Sequence, residues 1–181
     1  MLSFTKSVTI TILLALLIRF FILQPFVVDG ESMEPNFYNR EYIIIDKISY
    51  RLRVPARGDV VVFHPPIAPA ENYIKRVIGL PGESVEIMTD STVYINNKKL
   101  NEAYIIADDG GKKPEMVTLG PDEYFLMGDN RGHSSDSRTW GPIHASKIEG
   151  RTWFVALPFQ NFRFIRTPPF TLSLLPSFRA N

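Results

Sequence analysis

The sequence predicts a mainly β protein: an antiparallel β-sheet domain with a small β lobe, preceded by one N-terminal transmembrane helix. Three observations carry this expectation. One apolar run of helical length lies near the start of the chain. Every later apolar run is short and rich in β-branched and aromatic residues. Proline and glycine separate these runs, and strands so short and closely spaced pair antiparallel.

Residues 7–28 read SVTITILLALLIRFFILQPFVV, close to the ~20 residues a helix needs to cross the hydrocarbon core. Only Arg19 and Gln24 interrupt the run strongly. Residues 1–6 form a cytoplasmic N-terminus in this reading, with Lys6 as the positive-inside signal. Arg19 can snorkel toward the far interface, and Pro25 ends the helix as it leaves the bilayer. A cleaved signal peptide has a shorter apolar core ending in small residues. Here LQPFVVDG carries bulky residues at that point, which favours an uncleaved anchor. A helix buried in a soluble core is the alternative.

After the anchor the period changes. EYIIIDKIS, GDVVVFH, NYIKRVIGL, ESVEIMT, STVYINNKKL, MVTLGPDEYFLMG and GRTWFVALPF read as strands, and VPARG, HPPIAP, GLPGE, DDGGKKP and LGPDE as turns or loops. Residues 29–81 and 124–167 are expected to form the main domain, with residues 82–123 inserted as a small lobe whose hairpin turns at Asn96 and Asn97. Residues 168–181 form a C-terminal tail, too short and proline-broken to span a membrane.

Composition narrows the function. The 181 residues are 45% hydrophobic, enough for one ordinary core. The 20 basic and 19 acidic residues are interspersed and leave a net charge of +1, so there is no basic stripe for a phosphate backbone and nucleic acid is not an expected partner. The lack of cysteine excludes a thiol nucleophile, a disulfide framework and thiolate metal ligation. No metal-ligand spacing links His64, His133 and His144, and no metal or cofactor is expected.

Ser32 raises the chemical question, because it sits in the turn DGESMEPN directly after the most apolar segment. A catalytic serine needs a base. The three histidines lie in loops and turns, where a solvated or capping role accounts for each. A lysine serves instead if burial makes it neutral. Lys75 is the candidate, since YIKRVIG places it inside an apolar strand; a strand lysine facing water explains the pattern equally well. Arg76 faces the opposite way by the two-residue period, so one of the two is expected to point inward.

Four ordered blocks then carry a resemblance: GESMEP at residues 30–35, RGDVVVF at 57–63, YIKRVIGLPGE at 73–83 and GDNRGHSSDSRTWG at 128–141. With the preceding anchor they resemble the bacterial type I signal peptidases, membrane-anchored Ser/Lys proteases, in their short single-anchor form. The resemblance implies Ser32 as nucleophile and Lys75 as general base. It implies that Ser134 hydrogen-bonds the lysine amine, that Asp129, Asp136 and Arg138 form a polar scaffold, and that Met33 packs on the lysine stem. It places Phe26, Val28, Phe37, Tyr73 and Ile74 along the substrate cleft, with shallow pockets that accept alanine. The Ser32 N–H is the first oxyanion donor; where part of the family adds a hydroxyl two positions earlier, this chain has Gly30. Asn36 and Phe37 replace the usual threonine and leucine at the expected cleft edge, and Gly132 and His133 replace polar residues of the last block.

The implied activity is removal of N-terminal signal peptides after small residues (A-x-A) through an acyl-enzyme. The implied partners are signal peptides of exported preproteins and membrane lipid, with export machinery nearby. The implied location is the cytoplasmic membrane, single-pass, with the catalytic domain outside. Asp136 and Arg138 also fit an ordinary surface ion pair worth ~0–1 kcal/mol, and Arg57 to Asp59 fits turn chemistry. Two other functions fit the chain: a Ser/Lys processing protease for one secreted or pilus substrate, and a non-catalytic membrane-anchored peptide-binding β domain. The presence of both Ser32 and Lys75 speaks against the second.

Overall fold

The computed structural model describes residues 2–21, 23–107, 114–168 and 170–174, and within the first helix the side chains of residues 4–13. Helix α1 (Leu2–Phe21) leads into thirteen strands among the described residues. The first four are β1 (Leu23–Val27), β2 (Tyr42–Asp46), β3 (Val60–Phe63) and β4 (Tyr73–Gly79). Next come β5 (Ser84–Ile87), β6 (Val93–Ile95), β7 (Lys98–Leu100), β8 (Glu115–Thr118) and β9 (Glu123–Met127). Last are β10 (Ile143–His144), β11 (Ile148–Leu157), β12 (Arg163–Phe164) and β13 (Leu172–Leu174). Two single-turn helices, α2 (Ser49–Leu52) and α3 (Ser137–Trp140), lie between them.

All strand pairings are antiparallel, and the chain is mainly β, as expected. An eight-stranded sheet runs β1-β2-β11-β3-β4-β9-β10, with β12 paired to β11, and a five-stranded sheet runs β13-β7-β6-β5-β8. The β6–β7 turn falls at Asn96 and Asn97, whose φ values of 50° and 64° suit a tight hairpin.

Two boundaries differ from expectation. The apolar stretch expected to be helical through residue 28 divides: α1 ends at Phe21, and β1 pairs with β2 from Leu23↔Asp46 to Val27↔Tyr42. The reason is Pro25, which cannot continue a helix but is tolerated in a strand at the sheet edge, where β1 lies. The tail expected from residue 168 contributes β13, which pairs with β7 and covers what would otherwise be an open edge.

Among the described residues no helix is long and apolar enough to cross a membrane. The side chains of residues 14–21, and residue 22 altogether, lie outside the described set, and much of the expected anchor falls there. Within α1 the hydroxyls of Thr9 and Thr11 donate to the carbonyls of Thr5 and Ser7 at 2.9 and 3.0 Å, so both have partners inside the helix.

Central strands β3 and β4 are covered on both faces. Val60, Val62 and Ile74 join one cluster with Met33, Phe37, Ile43 and Val155, while Val61, Phe63 and Val77 join another with Tyr124, Leu126 and Ile143. A third cluster, from Ile78, Phe125 and Met127 to Val85, Val93 and Ile95, packs the two sheets together. The site is built at the first cluster.

Candidate active site

The turn after β1 is pinned at two points. Met33 and Phe37 are fully buried in the first cluster on either side of exposed Pro35, and the N–H groups of Asn36 and Phe37 both donate to the Met33 carbonyl, at 3.0 and 2.9 Å. Burying the residue after Ser32 leaves Ser32 half-buried at the turn surface. Gly30 precedes it at φ +91°, a left-handed conformation that glycine adopts without Cβ strain. Among the described residues the Ser32 N–H donates to no other group, whereas its carbonyl accepts from Asn130 N at 3.1 Å.

Lys75 comes from β4, opposite Val61 of β3. Its Nζ donates to Ser32 Oγ at 2.8 Å and to the Ile74 carbonyl at 2.9 Å. Only 4% of the residue is exposed. Burial pushes its ammonium group down to about 8, against the raising fields of Asp136 and Asp129 and with a further lowering from Arg138. A lysine of this kind is part neutral near physiological pH, and the neutral amine has a lone pair to offer the hydroxyl it touches.

Two buried ion pairs support this contact. Asp129 accepts from Arg76 Nε at 2.8 Å and from Nη2 at 2.5 Å, and both side chains are buried. Asp136 caps α3 by accepting from Arg138 N, and it binds Arg138 Nε and Nη2, each at 2.8 Å, and Gly128 N at 3.0 Å. Burial raises the Asp136 carboxyl, but the Arg138 hydrogen bonds and charge outweigh it and hold the group below its usual range. With side-chain exposures of 0% and 3%, this pair is interior and not a surface pair. Arg138 Nη2 also donates to the Arg131 carbonyl at 2.8 Å, which ties the last block into one loop.

A cleft of about 290 Å³ opens beside the Ser32–Lys75 contact. Phe26, Val27, Val28 and Asp29 from β1 and the turn after it line the cleft together with Glu71, Asn72, Tyr73 and Ile74 from β4 and the loop before it. Ile43 of β2, Val62 of β3 and Ser135 complete the lining.

The family described as "Signal peptidase, peptidase S26" matches residues 1–157. The chain belongs to this family. Signal peptidase I of Bacillus amyloliquefaciens is 41% identical over 172 residues, covering 90% of this chain and 91% of that protein. Signal peptidase I S of Bacillus subtilis is 39% identical over 173 residues, covering 90% and 92%. Among solved structures, a signal peptidase I from Enterococcus faecalis is similar at 32% identity and a TM-score of 0.48, covering 55% of this chain and 97% of that one. Family membership makes the chain a serine peptidase, a hydrolase.

The geometry corrects several residue-level expectations for this signal peptidase family member. Lys75 and Arg76 were expected to split, one inward and one outward; both are buried, at 4% and 3%, because β4 is covered on both faces and Asp129 neutralises the arginine. Phe37 does not line the cleft: its ring lies in the core, with the Arg163 guanidinium 5.6 Å from its centroid. Asn36 points away from the cleft edge, toward Tyr104 and Asp129. Ser134 does not bond Lys75. Its buried Oγ stands close enough to Asp136 to favour the carboxylate but makes no hydrogen bond of good geometry among the described residues. Met33 is in the core cluster with Ile74, the residue before Lys75.

None of the three histidines meets Ser32. His64 lies against the Glu71 carbonyl and Glu149, His133 beside Asn130, and His144 beside Ser146. Sequence reasoning missed Asn72, Glu71, Ser135 and Val62 as cleft residues, since none stands out by type or spacing. Arg76 was visible only as the neighbour of Lys75.

Gly128 marks the tightest approach in the site. A Cβ placed there would collide with Ser134 Oγ and come within 2.5 Å of the Ser32 carbonyl oxygen. Gly128→Ala is therefore expected to push the nucleophile turn away from β9 and lower kcat by ~10-fold or more, read in a cleavage assay beside a melting curve.

Proposed function

We propose that Ser32 and Lys75 form a Ser/Lys catalytic dyad that removes N-terminal signal peptides from exported preproteins after small residues. The single observation that carries this reading is the 2.8 Å contact between a surface-facing serine and a buried lysine held near pKa 8. Neutral Lys75 accepts the Ser32 proton as Oγ attacks the scissile carbonyl carbon. The C–N bond then breaks, and the Lys75 ammonium protonates the departing amine, the new N-terminus of the mature protein. Water activated by the same amine hydrolyses the ester and frees the signal peptide. The Ser32 N–H, which has no other acceptor among the described residues, donates to the developing oxyanion. Asp129, Asp136 and Arg138 hold the surrounding loop, and Ser134 fills the space between Gly128 and Asp136.

Phe26, Val28, Tyr73 and Ile74 form the wall against which an extended substrate lies. Their bulk leaves shallow pockets, which suits alanine at an A-x-A junction. In this reading the eight-stranded sheet is the catalytic unit and the five-stranded sheet an appended lobe.

Membrane attachment through the apolar N-terminal segment belongs to the same reading, with the catalytic sheet on the extracytoplasmic side. Exposed aromatic rings support it: Trp153, Phe162 and Phe164 cluster with Phe154 at centroid distances of 5.4–6.3 Å, on β11, β12 and the segment just before β12, in the sheet that α1 leads into. Tryptophan favours the membrane–water interface, and exposed phenylalanine gains by burying its apolar surface there. A nucleophile held at that depth meets a signal peptide already confined to the bilayer, which offsets part of the orientational entropy of the reaction.

The test is cleavage of a precursor bearing an A-x-A junction by the detergent-solubilised chain, with N-terminal sequencing of the product. Wild type is expected to cut after the second alanine, with Ser32→Ala at least ~10³-fold slower and still folded. Undiminished cleavage by Ser32→Ala would remove the dyad reading, and binding without cleavage by wild type would favour a peptide-binding role.

A further inference from the structure

We propose that Asn36 is the positioning residue that sets the Ser32–Lys75 contact, by hanging the nucleophile turn on the same carboxylate that anchors the base strand. The inference rests on the dyad reading above and adds a residue to it.

Asp129 is fully buried and serves both halves of the dyad. From the base side, Arg76 directly follows Lys75 on β4 and holds Asp129 through two hydrogen bonds, 2.8 Å to Oδ1 and 2.5 Å to Oδ2. From the nucleophile side, Asn36 Nδ2 donates to Oδ2 at 2.9 Å. The same nitrogen donates its second proton to the Tyr104 carbonyl at 2.8 Å, and the Tyr104 ring lies 4.5 Å from the Arg76 guanidinium carbon. Asn36, Asp129, Arg76 and Tyr104 thus form a closed ring of contacts. One edge of that ring is the turn carrying Ser32, and another is the strand carrying Lys75.

The chemistry at position 36 is restrictive. A buried carboxylate that already binds a guanidinium can only accept, so the residue facing it must donate. An asparagine side chain offers two N–H donors on one nitrogen, and both are used. A threonine hydroxyl supplies one, and an aspartate carboxylate supplies none while adding a like charge. The backbone reinforces the arrangement: the Asn36 carbonyl accepts from Arg163 Nη2 at 2.5 Å, and the Ser32 carbonyl accepts from Asn130 N at 3.1 Å. Of these tethers, only the Asn36 side chain joins the nucleophile turn directly to the Arg76–Asp129 pair.

Asn36 does not line the cleft. Loosening it therefore displaces the nucleophile from its base and leaves the substrate wall in place, an effect on kcat rather than on KM.

The experiment measures kcat, KM and the pH profile of A-x-A precursor cleavage by full-length wild type, Asn36→Ala, Asn36→Thr and Asn36→Asp in detergent, with a melting curve for each. Asn36→Ala is expected to lower kcat ~10–100-fold with KM within about twofold, and Asn36→Thr to fall between it and wild type. Asn36→Asp is expected to be the slowest, with its kcat/KM profile moved to higher pH, because a second carboxylate beside Asp129 acts on Lys75 in the same direction as Asp129 does. A folded Asn36→Ala with wild-type kcat overturns the assignment, as does a loss confined to KM. If Asn36→Ala does not fold, wild-type kcat in Asn36→Thr together with an unmoved profile in Asn36→Asp overturns it. Wild type that fails to cleave sinks the dyad reading and this assignment with it, a result distinct from cleavage that is indifferent to position 36.

Discussion

Lys75→Met is expected to abolish cleavage while raising the melting temperature. Loss of the amine that meets Ser32 Oγ removes the general base, and cleavage should fall by ~10³-fold or more. The stability gain follows from the cost of burying that amine. Lys75 titrates near 8 in the folded chain, against 10.5 for the ordinary side chain. Below pH 8 the group is protonated folded and unfolded, and the full burial cost, on the order of 3 kcal/mol, is present. Between pH 8 and 10.5 the unfolded chain holds more protons than the folded one, so stability rises with pH and the cost disappears. Methionine fills similar volume without the charge. At pH 7 its gain, less the lost bonds to Ser32 Oγ and the Ile74 carbonyl, should be roughly 1 kcal/mol or about 3 °C. Wild-type kcat/KM should rise with pH to a midpoint about 8. A flat profile, or a Lys75→Met chain that melts lower at pH 7 and higher at pH 10 than wild type, would contradict the assignment.

Asp129→Ala is the second large effect. It leaves the Arg76 guanidinium, 4% exposed, without its carboxylate, and a buried charge stripped of its partner costs ~3–5 kcal/mol. Replacing both members, Arg76→Met with Asp129→Leu, removes the charge and the unmet partner together. Denaturant titration of the double variant should recover most of that loss, since well-packed apolar residues commonly match a buried pair. Activity should not recover with it, because Asn36 then has no acceptor for the bond that orients the nucleophile turn. Equal losses in the single and double variants would show that the pair is not the interaction at stake.

These effects trace to features of unequal legibility. The β class could be read because strand runs such as GDVVVFH and the proline–glycine turns between them act locally. Ser32 and Lys75 could be read because ordered blocks surround them. The fate of Arg76 could not, since the two-residue period says only that neighbours face opposite sides. Whether both sides are covered depends on core residues distant in sequence, such as Met33, Phe37 and Val155 on one face and Tyr124 and Ile143 on the other. β1 was hidden inside an apolar run that hydropathy cannot divide: Pro25 stops the helix, and pairing with β2 makes the segment a strand. Phe37 and Asn36 were misread as cleft residues for a related reason: a turn's direction is set by its partners. Those partners, Arg163, Tyr104 and Asp129, lie far along the chain from the turn.

The most direct test of the dyad is capture of its covalent intermediate. Precursor and detergent-solubilised wild type are mixed at pH 8, quenched in acid within the first turnover, digested and examined by mass spectrometry. The peptide containing Ser32 is expected to carry the mass of the cleaved signal segment less one water, an ester on Oγ that is absent from the Ser32→Ala chain. Cleavage with Ser32 unmodified, and with oxygen from isotopically labelled water appearing in the signal peptide carboxylate of Ser32→Ala at the wild-type rate, would mean that water attacks directly and that Ser32 is not the nucleophile.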